Sequence, residues 1–304
     1  MTGLARLLVA RRKEPYVLTP PKKFEISEKA DRVGLYVHIP FCREICDFCP
    51  YNKVLYRPEL GEEYSKGLLR EAGLYLEKLP RDFEISSIYF GGGSPSLLMN
   101  GLGEVISFLR KNFKLSGEIG LELHPRNANK ETLSSLRNLG VTMVSLGIQS
   151  FDRELLSLIG RSGAEYSTEE VAKRVLQAGF ECVDLDLLFS SNYAEVSLKD
   201  FEKAINLGAD QVSTYPLIPF SYTPWGKKFN EKHNFLLQQF INRGFLNRFA
   251  EIAKAKDYRR SSIWSYTKRS APRYSSVTRN AFLGLGAGAI SLIDKKFFLN
   301  TFSV

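Results

Sequence analysis

The sequence predicts an α/β fold: an incomplete barrel of six strand–helix units, followed by a short α+β extension. Three observations predict it. Short apolar runs alternate with helical patterns along most of the chain. Several helical patterns end in a glycine just ahead of the next apolar run. The 304 residues are 44% hydrophobic and 25% charged, the composition of an ordinary globular protein. Alternating strands and helices imply a parallel sheet with right-handed crossovers. In barrels of this kind the chemistry collects at the C-terminal ends of the strands.

Residues 1–31 are polar, basic and Pro-containing, and read as an extended lead-in. Strands are expected over Val33–Ile39, Ser87–Phe90, Ile119–Leu123, Met143–Ile148, Cys182–Phe189 and Gln211–Leu217. Helical periodicity fills the gaps at Glu62–Leu79, Leu102–Phe113, Lys130–Leu139, Thr168–Ala178 and Ser197–Leu207. Gly140, Gly179 and Gly208 close three of these helices, as C-terminal glycines do. The division that results is a lead-in at 1–31, a core barrel at 32–225 and a C-terminal extension at 226–304.

No apolar run approaches the roughly 18 to 20 residues needed to cross a bilayer. The apolar stretch near Met1 is too short for a secretory signal and its charges follow it, so a cytoplasmic location is expected. The formal charge is +9, but the basic residues are scattered in small groups such as Arg259-Arg260 and Lys268-Arg269. None forms the long run with interleaved aromatics that nucleic acid requires, so no nucleic-acid partner is expected. A solvated basic surface accounts for the charge; a positive pocket for a polycarboxylate stays open.

Cys42, Cys46 and Cys49 fall within eight positions, with three and then two residues between them. Three thiolates on one short loop can hold three irons of a [4Fe–4S] cube and leave the fourth open to a small molecule. A structural zinc site wants four protein ligands. The chain has three histidines, His38, His124 and His233, of which only His38 is near, in a strand leading into the loop. Disulfides would leave one of three clustered cysteines over. Cys182, in a strand, reads as core.

Further candidates sit at the ends of later strands. Gly91-Gly92-Gly93-Ser94 lets the backbone approach a ligand closely. Glu122 is a carboxylate in a strand, costly to bury alone, so it is expected to face solvent or something cationic. Gln149 ends the fourth strand and Arg161 is expected on the helix after it. Period-two alternation puts Asp184 and Asp186 on one face, with a ligand or cation as the expected partner.

These motifs resemble, in order, those of the radical S-adenosylmethionine (SAM) enzymes. Within that superfamily they are similar to the oxygen-independent coproporphyrinogen III oxidase family, which also contains haem chaperones and radical SAM methyltransferases. The resemblance covers about 32–225 and resumes at Phe282-Leu-Gly-Leu-Gly-Ala-Gly-Ala289. It implies a partial (β/α)6 TIM-like barrel, a [4Fe–4S] cluster on Cys42, Cys46 and Cys49, and SAM chelating the open iron. It implies that Gly91, Gly92, Gly93 and Ser94 cradle the methionine amino group and that Phe48 packs beside the adenine. Gln149, Arg161 and Asp186 would contact the ribose and carboxylate, with Glu122 and Tyr36 beside SAM. The implied activity is hydrogen abstraction from a small, anionic, tetrapyrrole-like substrate, with oxidative loss of carbon dioxide from a propionate. The electron would come from a low-potential donor such as ferredoxin or flavodoxin. Haem transfer and methylation with two SAM molecules are the alternatives.

The chain departs from the family at Leu187–Asn192 and over Pro272–Arg279, which lacks histidine. The family's C-terminal domain is expected to be largely missing. Trp264, Tyr266, Tyr274, Arg269, Arg273 and Arg279 are expected to supply the rest of the pocket wall, and deletion of 265–304 is expected to abolish substrate turnover while sparing cluster assembly.

Overall fold

The six expected strands form, and they lie side by side in chain order. The computed structural model describes residues 32–79, 83–161, 167–228, 235–272, 281–293 and 296–304. Strands β1 (Arg32–Ile39), β2 (Glu84–Gly92), β3 (Ile119–Leu123), β4 (Met143–Gln149), β5 (Cys182–Phe189) and β6 (Gln211–Pro216) pair in parallel, each with the next. Helices α1 (Pro58–Leu76), α2 (Met99–Asn112), α3 (Lys130–Asn138), α4 (Arg153–Leu158) with α5 (Thr168–Leu176), and α6 (Ala194–Asn206) make the crossovers.

Alternation decides which face of each strand meets the helices. Val33, Leu35, Val37 and Ile39 of β1, Val144, Leu146 and Ile148 of β4, and Val183, Leu185, Leu187 and Phe189 of β5 are all buried. They join Leu102, Val105, Ile106 and Leu109 of α2 and Phe201 of α6 in one apolar core. The alternate positions carry Tyr36, His38, Tyr89, Gly91, Glu122, Ser145, Gly147, Asp184, Asp186 and Ser213. One set of side chains packs helices; the other lines the opposite face with polar and small groups.

Gly140, Gly179 and Gly208 end α3, α5 and α6 with φ of 85°, 81° and 86°, the left-handed conformation that closes a helix. Asn129, Asp152 and Ser167 cap α3, α4 and α5 through side-chain oxygens. Contrary to expectation, Arg161 does not lie on the helix after β4. Helix α4 stops at Leu158, Gly160 takes φ 79°, and Arg161 N–H returns to Leu156 O at 2.8 Å.

Past β6 come α7 (Pro224–Lys228), α8 (Phe235–Ala255), β7 (Tyr258–Arg260), β8 (Ser265–Lys268), β9 (Phe282–Leu285), β10 (Ile290–Ile293) and β11 (Lys296–Leu299). Strand β8 pairs antiparallel with β6 and carries β7; β9 pairs in parallel with β1 and carries β10 and β11. The sheet is therefore an open path, with β6 and β1 taking new neighbours instead of each other. The segment Phe282–Leu285 lies beside the barrel as β9, with Leu35 opposite Leu283.

The expected pocket wall does not form from the described tail residues. Tyr266 is fully buried on the helix side, its hydroxyl on Leu246 O at 2.8 Å and its ring 5.1 Å from Phe201. Trp264 packs on Phe189 at 6.3 Å, and Arg269 pairs with Asp257 at 3.3 Å on the surface. Alternation on β8 sends Tyr266 toward the apolar core. Tyr274, Arg273, Arg279 and the 1–31 lead-in lie outside the described residues. Among the described residues no helix is long and apolar enough to cross a membrane.

Candidate functional site

The cysteine loop springs from the C-terminal end of β1. Phe41–Cys42 pairs with Val54–Leu55, and Val54 N–H reaches Pro40 O at 2.8 Å, so residues 43–53 are pinched into a closed loop. Cys49 N–H bonds Cys46 O at 3.3 Å. Lys53 Nζ donates to Cys49 O at 2.5 Å, and Trp225 N–H donates to Asp47 O at 3.0 Å. Lys228 pairs with Asp47 at 2.8 Å, so α7 clasps the loop from outside.

All three thiols are free. Burial pushes Cys42 up to about 12, with Cys49 and Cys46 adding to the shift, and burial raises Cys49 as well. Neighbouring thiols that resist ionisation singly are ones that metal binding deprotonates. Among the described residues, no three Cys, His, Asp or Glu side chains stand in a ready-made ligand geometry. The fit to an iron–sulfur cluster therefore rests on the donor set and on the tight space around Cys42. The end of β2 supplies that space. A Cβ on Gly93 would fall 2.5 Å from Phe41 O and 2.9 Å from Cys42 Sγ. Gly92 takes φ 113°, and a Cβ there would strike the His38 ring at 2.5 Å. Gly93 N–H reaches Ile39 O at 2.8 Å and Ser94 N–H reaches Phe41 O at 2.7 Å, lacing the glycine segment to the cysteine loop. The Ser94 side chain hydrogen-bonds Cys42.

His38 is not a spare ligand. Its Nδ1 meets the Tyr36 hydroxyl at 2.9 Å and its Nε2 meets Asn52 O at 3.0 Å. A carbonyl can only accept, so Nε2 carries the hydrogen and Tyr36 donates to Nδ1. Burial, then Glu122, raises Tyr36 well above its usual value, so it stays a donor.

Glu122 is half-buried and already has protein partners. Its carboxylate accepts from Gly92 N–H at 2.9 Å and the Tyr89 hydroxyl at 3.1 Å, while burial raises its pKa. Asp186 accepts from Ser145 Oγ, and is raised by burial and then by Asp184. The expected ligand or cation beside Asp184 is instead Gln211 Nε2 at 2.7 Å and Ser213 Oγ at 2.6 Å. Cys182 is fully buried beside Met143 and Tyr89, as core.

Gln149 ends β4 with φ 68°, a conformation rare outside glycine and held here by the register shift after Leu146. Arg161 Nη1 donates to Gly147 O at 2.5 Å, and its guanidinium stands 5.9 Å from the Phe48 ring. A Cβ on Gly147 would meet Gln149 Nε2 at 3.0 Å and Arg161 Nη2 at 3.8 Å, so the glycine leaves room for both. Arg161 lowers Asp186 and Glu122 raises it, which places all three within electrostatic reach. The structure thus gathers Cys42, Gly91 to Ser94, Tyr36 and Glu122 on one side, and Phe48, Gln149, Arg161 and Asp186 next to them, along one end of the sheet.

The radical SAM superfamily model matches residues 36–201. This chain belongs to the radical SAM superfamily. A relative named oxygen-independent coproporphyrinogen III oxidase, from Pseudomonas aeruginosa, is 28% identical over 303 residues, covering 90% of this chain and 65% of its own. The heme chaperone HemW of Bacillus subtilis is 32% identical over 191 residues, covering 60% of this chain and 50% of its own. The chain thus spans less than two thirds of either relative. The solved coproporphyrinogen III oxidase HemN of Escherichia coli superposes with a TM-score of 0.75 at 21% identity, over 90% of this chain and 67% of that one. That likeness fixes the fold. Radical SAM proteins use a [4Fe–4S] cluster and SAM, which are therefore this chain's cofactors.

Sequence reasoning missed several residues of this radical SAM site. Tyr89 donates to Glu122, Ser145 to Asp186 and Lys53 to the cysteine loop. Tyr89 and Ser145 stand in the same alternating register as Gly91 and Gly147, a signal the sequence did carry.

Proposed function

We propose that Cys42, Cys46 and Cys49 hold the [4Fe–4S] cluster, and that Tyr36, Phe48, Gly91 to Ser94, Glu122, Gln149, Arg161 and Asp186 hold SAM. On this reading the chain removes hydrogen from a tetrapyrrole propionate, as a coproporphyrinogen oxidase-like enzyme. The convergence of thiols, glycine cradle and half-buried carboxylates at one end of the sheet is the observation that carries it. When bound, cluster and SAM together supply the carbon radical that abstracts hydrogen. The protein's share is placement. Gly92 and Gly93 keep the backbone against the cysteine loop. Glu122 and Asp186 set negative charge where SAM brings an ammonium and a sulfonium. Arg161 and Gln149 offer donors to its oxygens, and Phe48 an apolar face. The substrate gives a hydrogen atom to the carbon radical, then loses carbon dioxide and passes one electron to a one-electron acceptor that the reaction also requires, leaving a vinyl group. The names of relatives such as that of Pseudomonas aeruginosa support this choice of substrate. A ferredoxin- or flavodoxin-like donor and a reducing, cytoplasmic setting complete the proposal.

Relatives named as haem chaperones favour a second reading, haem binding and transfer. Anaerobic incubation of the reconstituted protein with SAM, reductant and coproporphyrinogen III separates the two. The oxidase reading expects 5′-deoxyadenosine and a product lighter by carbon dioxide and two hydrogens. Tight haem binding with no decarboxylated product supports the chaperone, and a methylated product overturns both.

A further inference from the structure

The cysteine loop carries one half-buried cation that no carboxylate answers. Lys53 Nζ donates to Cys49 O at 2.5 Å and to Tyr51 O at 3.3 Å. Both acceptors are backbone carbonyls, and no ion pair found among the described residues includes Lys53. The other cations around the loop are engaged or solvated. Arg126 pairs with Glu44 at 3.0 Å and Lys228 with Asp47 at 2.8 Å. Arg161 acts on Asp186, and Arg43 is exposed.

Bracing the loop does not by itself account for a lysine here. A neutral donor holds a carbonyl as well, without drawing an ammonium out of water, and a long stem held still gives up several rotors. In the metal-free protein the charge has no anion to answer. Burial keeps Cys42 and Cys49 protonated, and Lys53 works against that burial at both thiols. The ammonium thus stands within electrostatic reach of two of the three thiols while they are still neutral. Ligation reverses the balance, because a bound metal deprotonates its thiols. The loaded loop is then anionic, and one further electron makes it more so. Glu122, which also raises Cys49, adds to the repulsion.

We infer that Lys53 is the counter-charge of the iron–sulfur cluster: its ammonium, fixed on Cys49 O and Tyr51 O, favours the reduced cluster and raises the potential at which the loop accepts an electron. The inference rests on the proposed cluster ligands and deepens that reading. Net charge and hydrogen bonding around the sulfurs are levers that a protein has over such a potential. Lys53 is a positioning residue, since it acts through the cysteine loop and away from the reacting atoms. The consequence falls on the electron donor: a less negative cluster accepts electrons from a wider range of one-electron carriers.

Reductive titration of the anaerobically reconstituted full-length protein, followed by the paramagnetic signal of the reduced cluster, reads the potential without substrate. Lys53→Gln keeps an N–H donor and deletes the charge; Lys53→Arg keeps both. We expect Lys53→Gln to shift the one-electron equilibrium about tenfold toward the oxidised cluster, a fall of about 59 mV. Lys53→Arg should stay within about twofold of wild type. Lys53→Met, with neither charge nor donor, should fall as far as Lys53→Gln, whereas a bracing role would separate the two. The inference is overturned if Lys53→Gln keeps the wild-type potential with about four irons bound, or if Lys53→Arg falls as far as the neutral variants. Iron lost from both neutral variants but kept by Lys53→Arg supports the counter-charge; iron lost from all three overturns it in favour of a purely structural brace. Failure of the cluster-ligand reading shows separately, as full iron content in Cys46→Ala whatever Lys53 does.

Discussion

The two faces of the same six strands carry opposite chemistry. Toward the helices, β1, β4 and β5 present Val, Leu, Ile and Phe almost wholly removed from solvent. Toward the other side, the same strands present Tyr36, Ser145, Asp184 and Asp186. A step of one residue along a strand moves from a position where only volume matters to one where each atom needs a named partner. The helix face is redundant: a lost methyl is shared among many neighbours. The ligand face is not, since Glu122 has two donors and Asp186 one hydroxyl among the hydrogen bonds found.

Cysteine substitutions give the largest effect and test that division outright. Cys46→Ala should abolish cluster binding, whereas Cys182→Ala, fully buried among Met143 and Tyr89, should retain about four irons per chain after reconstitution. Equal iron loss in the two variants would erase the distinction between the loop and the sheet interior.

A matched pair on adjacent strands comes next. Leu146→Ala removes a wholly buried side chain from the helix face and should cost about 2–5 kcal/mol in denaturant unfolding, with SAM affinity kept. Asp186→Asn, on the ligand face, should do the reverse. SAM binding should fall by about tenfold or more, while the apo protein unfolds no earlier, because a carboxylate raised by burial is already a stability cost. If both variants lose stability and affinity together, the two faces are not separable.

Asp200 sharpens the comparison from the helix side. It is buried on α6, accepts from Ser150 Oγ and from Phe151 N–H at 3.0 Å, and is raised to about 6, chiefly by burial. A folded-state pKa above the unfolded value means the native state holds the extra proton between about pH 4 and 6. Stability from this group therefore falls as pH rises through that window, by roughly 3 kcal/mol in all. Asp200→Asn, which keeps one oxygen to accept Phe151 N–H and turns an amide N–H toward Ser150 Oγ, should flatten that slope in urea titrations at pH 4 and pH 7 while leaving SAM affinity alone. A slope unchanged by the substitution would show that another group sets it.

The fold was legible because alternation and helix-closing glycines are local signals, and Gly140, Gly179 and Gly208 did what such glycines do. The cysteine loop and glycine segment were legible for a related reason: their spacing is itself the chemistry. Partners distant in sequence were not legible. Asp184 finds Gln211 and Ser213 on the next strand, a pairing that depends on register. The tail misled because aromatic and basic composition suits a pocket wall or a core equally well, and only the pairing of β8 with β6 turns Tyr266 inward. Nor is the tail separable from the cysteine loop, as deletion of 265–304 had assumed. Asn52 Nδ2 donates to Phe302 O at 3.2 Å, and Glu71 takes Gly286 N–H at 2.9 Å and Asn300 Nδ2 at 2.7 Å.

The pairing of β1 with β9 has a consequence for how the chain is made. The strand that launches the cysteine loop is synthesised early, and its parallel partner follows about 250 residues later. At ribosomal speeds of about 5–20 residues per second, β1 waits roughly 12–50 seconds with one edge unpaired. Through that interval the loop has β2 beside it but lacks Phe302 behind Asn52. An exposed parallel edge of this length invites mispairing, and thiols in an unfinished loop are open to oxidation. Cluster insertion into a loop already braced by β9 is the order this topology favours. Synthesis rate, and not only iron supply, then becomes a determinant of how much active protein a cell obtains.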